Sequence, residues 1–208
     1  VEVMRSGWLS TGKKATEFEE VFTKYKGGGV GAVALSSCTA ALHLALLSLE
    51  LQPGDEVITT DFTFSATVAT IIHAGGTPVI VDCTINEQCI NATVMRSRIT
   101  NRTRAVVVVH FAGYPCAMEY IEKICNELDI PIIEDCAHAI ESKYNGVPCG
   151  TNNYAGCFSF YGTKNITTAC GEGGMLLSKH PKVIEFARKM SLHGMSKNAA
   201  DRYSDSGF

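Results

Sequence analysis

Charge is scarce in this chain: Asp, Glu, Lys and Arg make up 19% of 208 residues and nearly cancel, to a formal net charge of -3. No basic cluster tracks along it, so nucleic acid is not an implied partner and any phosphate site must be local. Apolar runs long enough to cross a bilayer are missing, the longest being strand-sized, and no membrane association is expected. Internal repeats and low-complexity tracts are also missing, which excludes solenoids and long disordered segments. Nine cysteines stand at 38, 83, 89, 116, 125, 136, 149, 157 and 170, yet no two form a CxxC pair. Their odd number and irregular spacing predict buried free thiols in a reducing compartment, with no metal site. No leader segment is evident, so the sequons at Asn91, Asn101 and Asn165 are expected to be chance matches.

Hydrophobic residues are plentiful, at 46%, and the length allows one large domain or two small ones with a substantial core. Ala32 to Leu35, Glu56 to Thr60, Pro78 to Asp82, Ala105 to His110 and Pro131 to Asp135 read as strands, being short, apolar runs with β-branched residues, and Cys157 to Tyr161 is a short, strand-like apolar segment. Thr39 to Leu49, Ser65 to Ala74 and Ala117 to Leu128 read as helices between them, with PGD at Pro53 and AGG at Ala74 as turns. Continuous apolar strands alternating with helices predict an α/β fold, a mainly parallel sheet covered on both faces. Ligands then collect beyond the carboxyl ends of the strands. VEVMRSG at the start reads as a helix tail and DSGF at the end closes no element. A piece of a longer protein is therefore expected.

Four of those strand ends carry chemistry-bearing residues. Ser37, Cys38 and Thr39 follow Ala32 to Leu35 at a strand-to-helix turn, where free N–H groups and the positive dipole end suit a phosphate; an ordinary Ser/Thr cap has the same appearance. Asp135 ends its strand as a carboxylate able to keep a pyridine nitrogen protonated, while Glu134 alternates to the other face. His138 follows Asp135; taken alone it reads as a satisfied core histidine. Phe62 and Phe64 sit at a third junction, where one aromatic face could stack on a cofactor ring. At the fourth, the strand carrying Ser159 leads to Lys164 in FSFYGTKNITTACGEGG. A lysine amine there could form a Schiff base with an aldehyde cofactor once burial or charge lowers its basicity, and GEGG permits close backbone approach.

The ordered motifs SGWLSTG, SSCTAALH, PGDEVITT, TFSAT, GGTPVIVD, VVHFAGYPC, IPIIEDCAHA, FSFYGTKNIT, GEGGM and LHGMS span almost the whole chain. Together they resemble the DegT/DnrJ/EryC1/StrS family of pyridoxal phosphate-dependent sugar aminotransferases. The resemblance implies the large domain of a fold type I transferase, a three-layer α/β/α unit with a mainly parallel mixed sheet, over residues 1–208. Both ends would be incomplete and a smaller C-terminal domain would be absent. It makes Lys164 the Schiff-base lysine and proton carrier, Asp135 the partner of the pyridine nitrogen, and His138 a neighbour of the cofactor's phenolic oxygen. Phe64 becomes the stacking aromatic, and Cys38, Thr39 and Ser159 the phosphate cup, with Ser37 and Asn165 as further neighbours.

The implied reaction moves an amino group from an amino acid, glutamate by resemblance, to a nucleotide-linked ketosugar. The HFAGYPC and EDCAHA spellings lean toward a 4-keto-deoxysugar. A cytoplasmic homodimer making aminosugars for surface polysaccharides or natural products follows from the same resemblance. Two departures stand out. Cys38 replaces the glycine or alanine of many relatives, and Ala169 and Cys170 look like a two-residue insertion after the lysine. Among rival readings, a related sugar dehydratase would carry histidine where Lys164 stands. A nicotinamide-binding Rossmann domain would need GGGVG after a strand, but it precedes one. An inactive or regulatory cofactor-binding fragment is the third alternative.

Overall fold

The β-branched runs at 31–35, 56–60, 77–81, 103–109 and 132–135 all form strands in the computed structural model, which describes residues 1–7 and 11–195. Trp8, Leu9 and Ser10 of SGWLSTG, Ser196 of LHGMS and the DSGF end lie outside the described residues. In chain order the elements are α1 (Glu2–Ser6), α2 (Lys13–Tyr25), β1 (Gly31–Leu35), α3 (Cys38–Leu47), β2 (Glu56–Thr60), α4 (Ser65–His73), β3 (Thr77–Val81) and α5 (Ala92–Arg98). Then come β4 (Thr103–Val109), α6 (Met118–Glu127), β5 (Ile132–Asp135), the short pair β6 (Lys143–Tyr144) and β7 (Val147–Pro148), β8 (Ala155–Ser159), β9 (Gly174–Ser178) and α7 (Pro181–Ser191).

Local chemistry explains several boundaries. Ser37 caps α3, its hydroxyl accepting from the Ala40 N–H at 3.1 Å. Asn91 caps α5, its side chain accepting from Thr93 and Val94 N–H, so one of the three sequon asparagines has a structural task. Pro181 opens α7, where its missing N–H costs nothing. The strand expected over Cys157 to Tyr161 stops at Ser159, because the chain turns there: the Lys164 N–H bonds back to the Tyr161 carbonyl at 2.8 Å.

Seven strands form one sheet in the order β1-β9-β8-β5-β4-β2-β3. The neighbours from β8 through β3 are parallel, whereas β9 runs antiparallel to both β1 and β8. Side-chain alternation sorts the sheet into two faces. Ala105 and Val107 of β4 meet Leu42 and Leu46 of α3 and Val183 and Ala187 of α7 on one side. Val106 and Val108 meet Met95 of α5 and Ile121 and Cys125 of α6 on the other. On that second side, Phe22 of α2 also packs edge to face on Phe158, with ring centroids 5.1 Å apart. The outcome is the expected three-layer α/β/α arrangement with a mixed, mostly parallel sheet.

All nine cysteines are free, seven of them buried, with only Cys170 exposed. No helix among the described residues is long and apolar enough to cross a membrane.

Candidate active site

The carboxyl ends of β1, β2, β4, β5 and β8 lie on one edge of the sheet, and β9, running the other way, brings its amino end there as well. A cavity of about 690 Å³ opens at that edge. Ser37, Cys38, Thr39, Phe64, Asp135, His138, Ser159 and Lys164 all line it. Asn165 does not: its side-chain amide donates to Glu141 at 3.1 Å instead.

Asp135 is the electrostatic centre of the cavity. It is 5% exposed and every hydrogen-bond partner of its side chain is neutral. Its Oδ1 accepts from the Ala137 N–H at 3.1 Å and from the Cys38 thiol at 3.8 Å, and its Oδ2 from the Thr67 hydroxyl at 2.9 Å. No ion pair among the described residues includes it. A buried carboxylate is costly unless a positive group completes its surroundings, so this carboxylate suits a ligand bearing a cationic N–H. Burial pushes the Cys38 thiol well above its usual range, and the Asp135 charge adds to the rise. Cys38 is therefore an inert, neutral donor.

The turn beside it suits an anion. Cys38 and Thr39 are the first residues of α3, whose N–H groups have no partner within the helix and meet its positive dipole end. Ser37 is occupied as the cap, so the capping and anion-binding readings of this turn hold together. Gly174 lets the chain pass directly against it: a Cβ there would collide with the Ser37 carbonyl and reach within 2.6 Å of the Cys38 nitrogen. At β8 the Ser159 hydroxyl accepts from the Tyr161 N–H at 3.3 Å and keeps its proton to offer.

His138 accepts from the Ala112 N–H at Nδ1, at 3.2 Å, which leaves the ring proton on Nε2 as a donor. Its pKa lies below the usual histidine value, through burial first and the positive charge of Lys164 second, partly offset by Asp135. The lysine is thus close enough to act on His138 electrostatically. Phe64 is exposed and Phe62 less so; Phe62 is engaged edge to face with Phe111, centroids 4.5 Å apart. Of the two aromatics, Phe64 is the one left free to cover a ligand.

After the lysine, the chain ties itself down: the Thr167 hydroxyl donates to the Phe160 carbonyl at 2.8 Å, and the Gly171 N–H to the Thr168 carbonyl at 3.0 Å. Ala169 and Cys170 are the two central residues of that last turn, at the tip of the loop and outside the cavity lining. Beyond that turn, Glu172 and Gly173 reach the cavity wall.

Glu134 points to the opposite face, as strand alternation predicts. Its carboxylate meets His110 Nε2 at 2.9 Å, the Gly150 N–H at 2.7 Å and the Asn153 amide at 3.0 Å. Burial alone would raise this carboxyl, but the His110 ring, the Asn153 amide and the Gly150 N–H outweigh it and hold it below the ordinary glutamate value. His110, Glu134 and Cys149 lie within 4.8 Å of one another, a metal-like grouping. However, the Cys116 N–H donates to His110 Nδ1 at 3.1 Å, which places the ring proton on Nε2, facing Glu134. With both ring nitrogens committed, the trio is a structural brace.

Thr67 is the residue that sequence reasoning passed over. It lies inside TFSAT, three residues into α4, where a threonine reads as one more helix position. Nothing local connects it to Asp135, 68 residues later.

Comparison with known proteins fits this geometry. The sequence model of the DegT/DnrJ/EryC1/StrS aminotransferase family matches residues 1–208. The spore coat polysaccharide biosynthesis protein SpsC of Bacillus subtilis is 46% identical over 206 residues, which are 99% of this chain and 52% of SpsC. PseC of Helicobacter pylori, an aminotransferase involved in the biosynthesis of pseudoaminic acid, superposes with a TM-score of 0.89 at 31% identity, over 96% of this chain and 53% of PseC. NtdA of Bacillus subtilis, solved with bound PMP, gives a TM-score of 0.86 at 30% identity, over 97% of this chain and 45% of NtdA. The chain thus spans about half the length of the relatives it matches.

Proposed function

Because the chain belongs to the DegT/DnrJ/EryC1/StrS aminotransferase family, we propose that its cavity serves pyridoxal phosphate-dependent transfer of an amino group from an amino acid to a nucleotide-linked ketosugar. Glutamate is the proposed donor and a 4-keto-deoxysugar the proposed acceptor. Residues 1–208 form the cofactor-binding large domain of a longer protein that includes a smaller C-terminal domain. That protein acts as a cytoplasmic homodimer.

One observation carries this reading: a buried carboxylate with only neutral partners shares a cavity with a lysine amine and a helix N-terminus. Those are a cation acceptor, a nucleophile and an anion cradle, the three groups that pyridoxal phosphate requires. Bound there, the cofactor would supply an aldehyde for the amine and a conjugated ring that accepts electrons when the donor's α-proton leaves. The chain's own residues would do the rest. Cys38 and Thr39 N–H groups, with the Thr39 and Ser159 hydroxyls, bind the phosphate. Asp135 faces the ring nitrogen and keeps it protonated. His138 donates from Nε2 toward the phenolic oxygen, as its neutral tautomer allows. Phe64 covers one ring face and excludes water. Lys164 Nζ receives the α-proton and returns it, as general base and then general acid.

The test uses the full-length protein. Pyridoxal phosphate should give a lysine-bound absorbance band that Lys164→Ala abolishes, and glutamate should discharge that band while releasing 2-oxoglutarate. A band retained in Lys164→Ala would refute the lysine assignment. Failure with every amino donor would refute the transfer reaction. A panel of nucleotide ketosugars then identifies the acceptor.

A further inference from the structure

A line of hydroxyl groups leads from the cavity wall to the back of Asp135. Thr63 Oγ1 and Thr67 Oγ1 lie 2.7 Å apart, and Thr67 Oγ1 lies 2.9 Å from Asp135 Oδ2. Either threonine could donate in the first contact, but the carboxylate fixes the direction. An ionised Asp135 only accepts, so Thr67 spends its single proton on it and must accept from Thr63. The order is Thr63 to Thr67 to Asp135. Thr67 is fully buried, at 0% exposure, so no water can take its place.

Resting on the pyridoxal phosphate reading, we propose that Thr67 is a positioning residue for the cofactor's ring nitrogen, acting through Asp135 and backed by Thr63. The Ala137 N–H and the Cys38 thiol hold Oδ1 from the backbone side of the turn, and Thr67 is the hydroxyl donor on Oδ2. With both oxygens tethered, the carboxylate plane is fixed. Without Thr67, Asp135 can rotate about χ2, and a ring nitrogen bound to it loses alignment.

Thr67→Val keeps the shape and removes the hydroxyl, whereas Thr67→Ser keeps the hydroxyl. The measurement is the dissociation constant of the full-length protein for pyridoxal phosphate and for its 1-deaza analogue, in which carbon replaces the ring nitrogen. Thr67→Val should weaken pyridoxal phosphate binding roughly tenfold, the scale of a lost hydrogen bond to a charged group. Thr67→Ser should restore it, and the deaza analogue should bind wild type and Thr67→Val alike. A general packing defect would weaken both ligands equally and overturn the inference. So would unchanged pyridoxal phosphate affinity in Thr67→Val, or failure of serine to rescue it. Wild-type protein that binds neither ligand would instead overturn the parent reading of the cavity, and this inference with it.

Discussion

Gly174→Ala should be among the most damaging single-methyl additions in this chain. Gly174 opens β9 and pairs with Leu35 of β1 on one side and Ser159 of β8 on the other. An added Cβ meets three atoms, Ser37 C, Ser37 O and Cys38 N, the last at 2.6 Å. All three are backbone, so no side-chain rotation relieves the clash; either the strand or the start of α3 must move. Overpacking of this kind costs about 3 kcal/mol, which in a domain of this size lowers Tm by roughly 6–12 °C. Gly146→Ala is the control: its φ of 83° carries a backbone penalty, but its Cβ meets nothing within 4 Å. That cost is about 1 kcal/mol. Thermal melts of both variants by circular dichroism separate steric from conformational effects, and pyridoxal phosphate titration should show weakened affinity for Gly174→Ala alone. Equal melting of Gly174→Ala and Gly146→Ala would refute the claim that Gly174 passes directly against the Ser37 and Cys38 backbone.

Three further outcomes follow from the electrostatics and exposure. Because folding holds Glu134 below its ordinary value of 4.5, its contribution is present above that pH and lost as pH falls through the folded value. Glu134→Gln should cost about 2 kcal/mol of stability at neutral pH and flatten the loss below about pH 4.5; parallel acid-melting profiles for both proteins would count against this. Lys164→Ala removes one of the two causes that lower the His138 pKa, so its ring resonances should titrate at higher pH in the variant, as NMR can measure. Among nine free thiols only Cys170 is exposed, so a thiol reagent should modify one site rapidly in native protein, and Cys170→Ser should eliminate that phase. Persistence of the fast phase would place the reactive thiol elsewhere.

The strand ends that build the cavity were legible because each short apolar run stops at a polar residue: Leu35 before Ser37, Ile133 before Glu134 and Asp135, Phe158 before Ser159. What escaped was longer in range or weaker in pattern. β9 reads GMLLS, with no β-branched residue and no chemistry-bearing residue at its end to draw notice, and its insertion between β1 and β8 pairs it on both sides. The helices α2 and α7 lie outside the motif-bearing segments, and Arg188 ties them together and to β1. Its guanidinium meets Glu19 at 2.7 Å and the Ala32 carbonyl at 2.6 Å, a link across 169 and 156 residues that no local window contains. Thr67 escaped for the same reason. The turn that carries Ala169 and Cys170 was not legible as a shape, since that depends on where Thr168 and Gly171 are anchored.

The central place of β9 bears on when the cavity can come into being. Among the described residues, strand β1 is hydrogen-bonded into the sheet only through β9, which pairs Gly31 with Ser178 and Leu35 with Gly174. During synthesis, β1 and the turn of Ser37, Cys38 and Thr39 leave the ribosome early, yet the backbone pairing that seats β1 in the sheet cannot form until residue 178 has also emerged. Such long-range closure is slow compared with local helix formation. The strand that leads into the Ser37 to Thr39 turn is therefore fixed in the sheet late, when the ninth strand pairs with it.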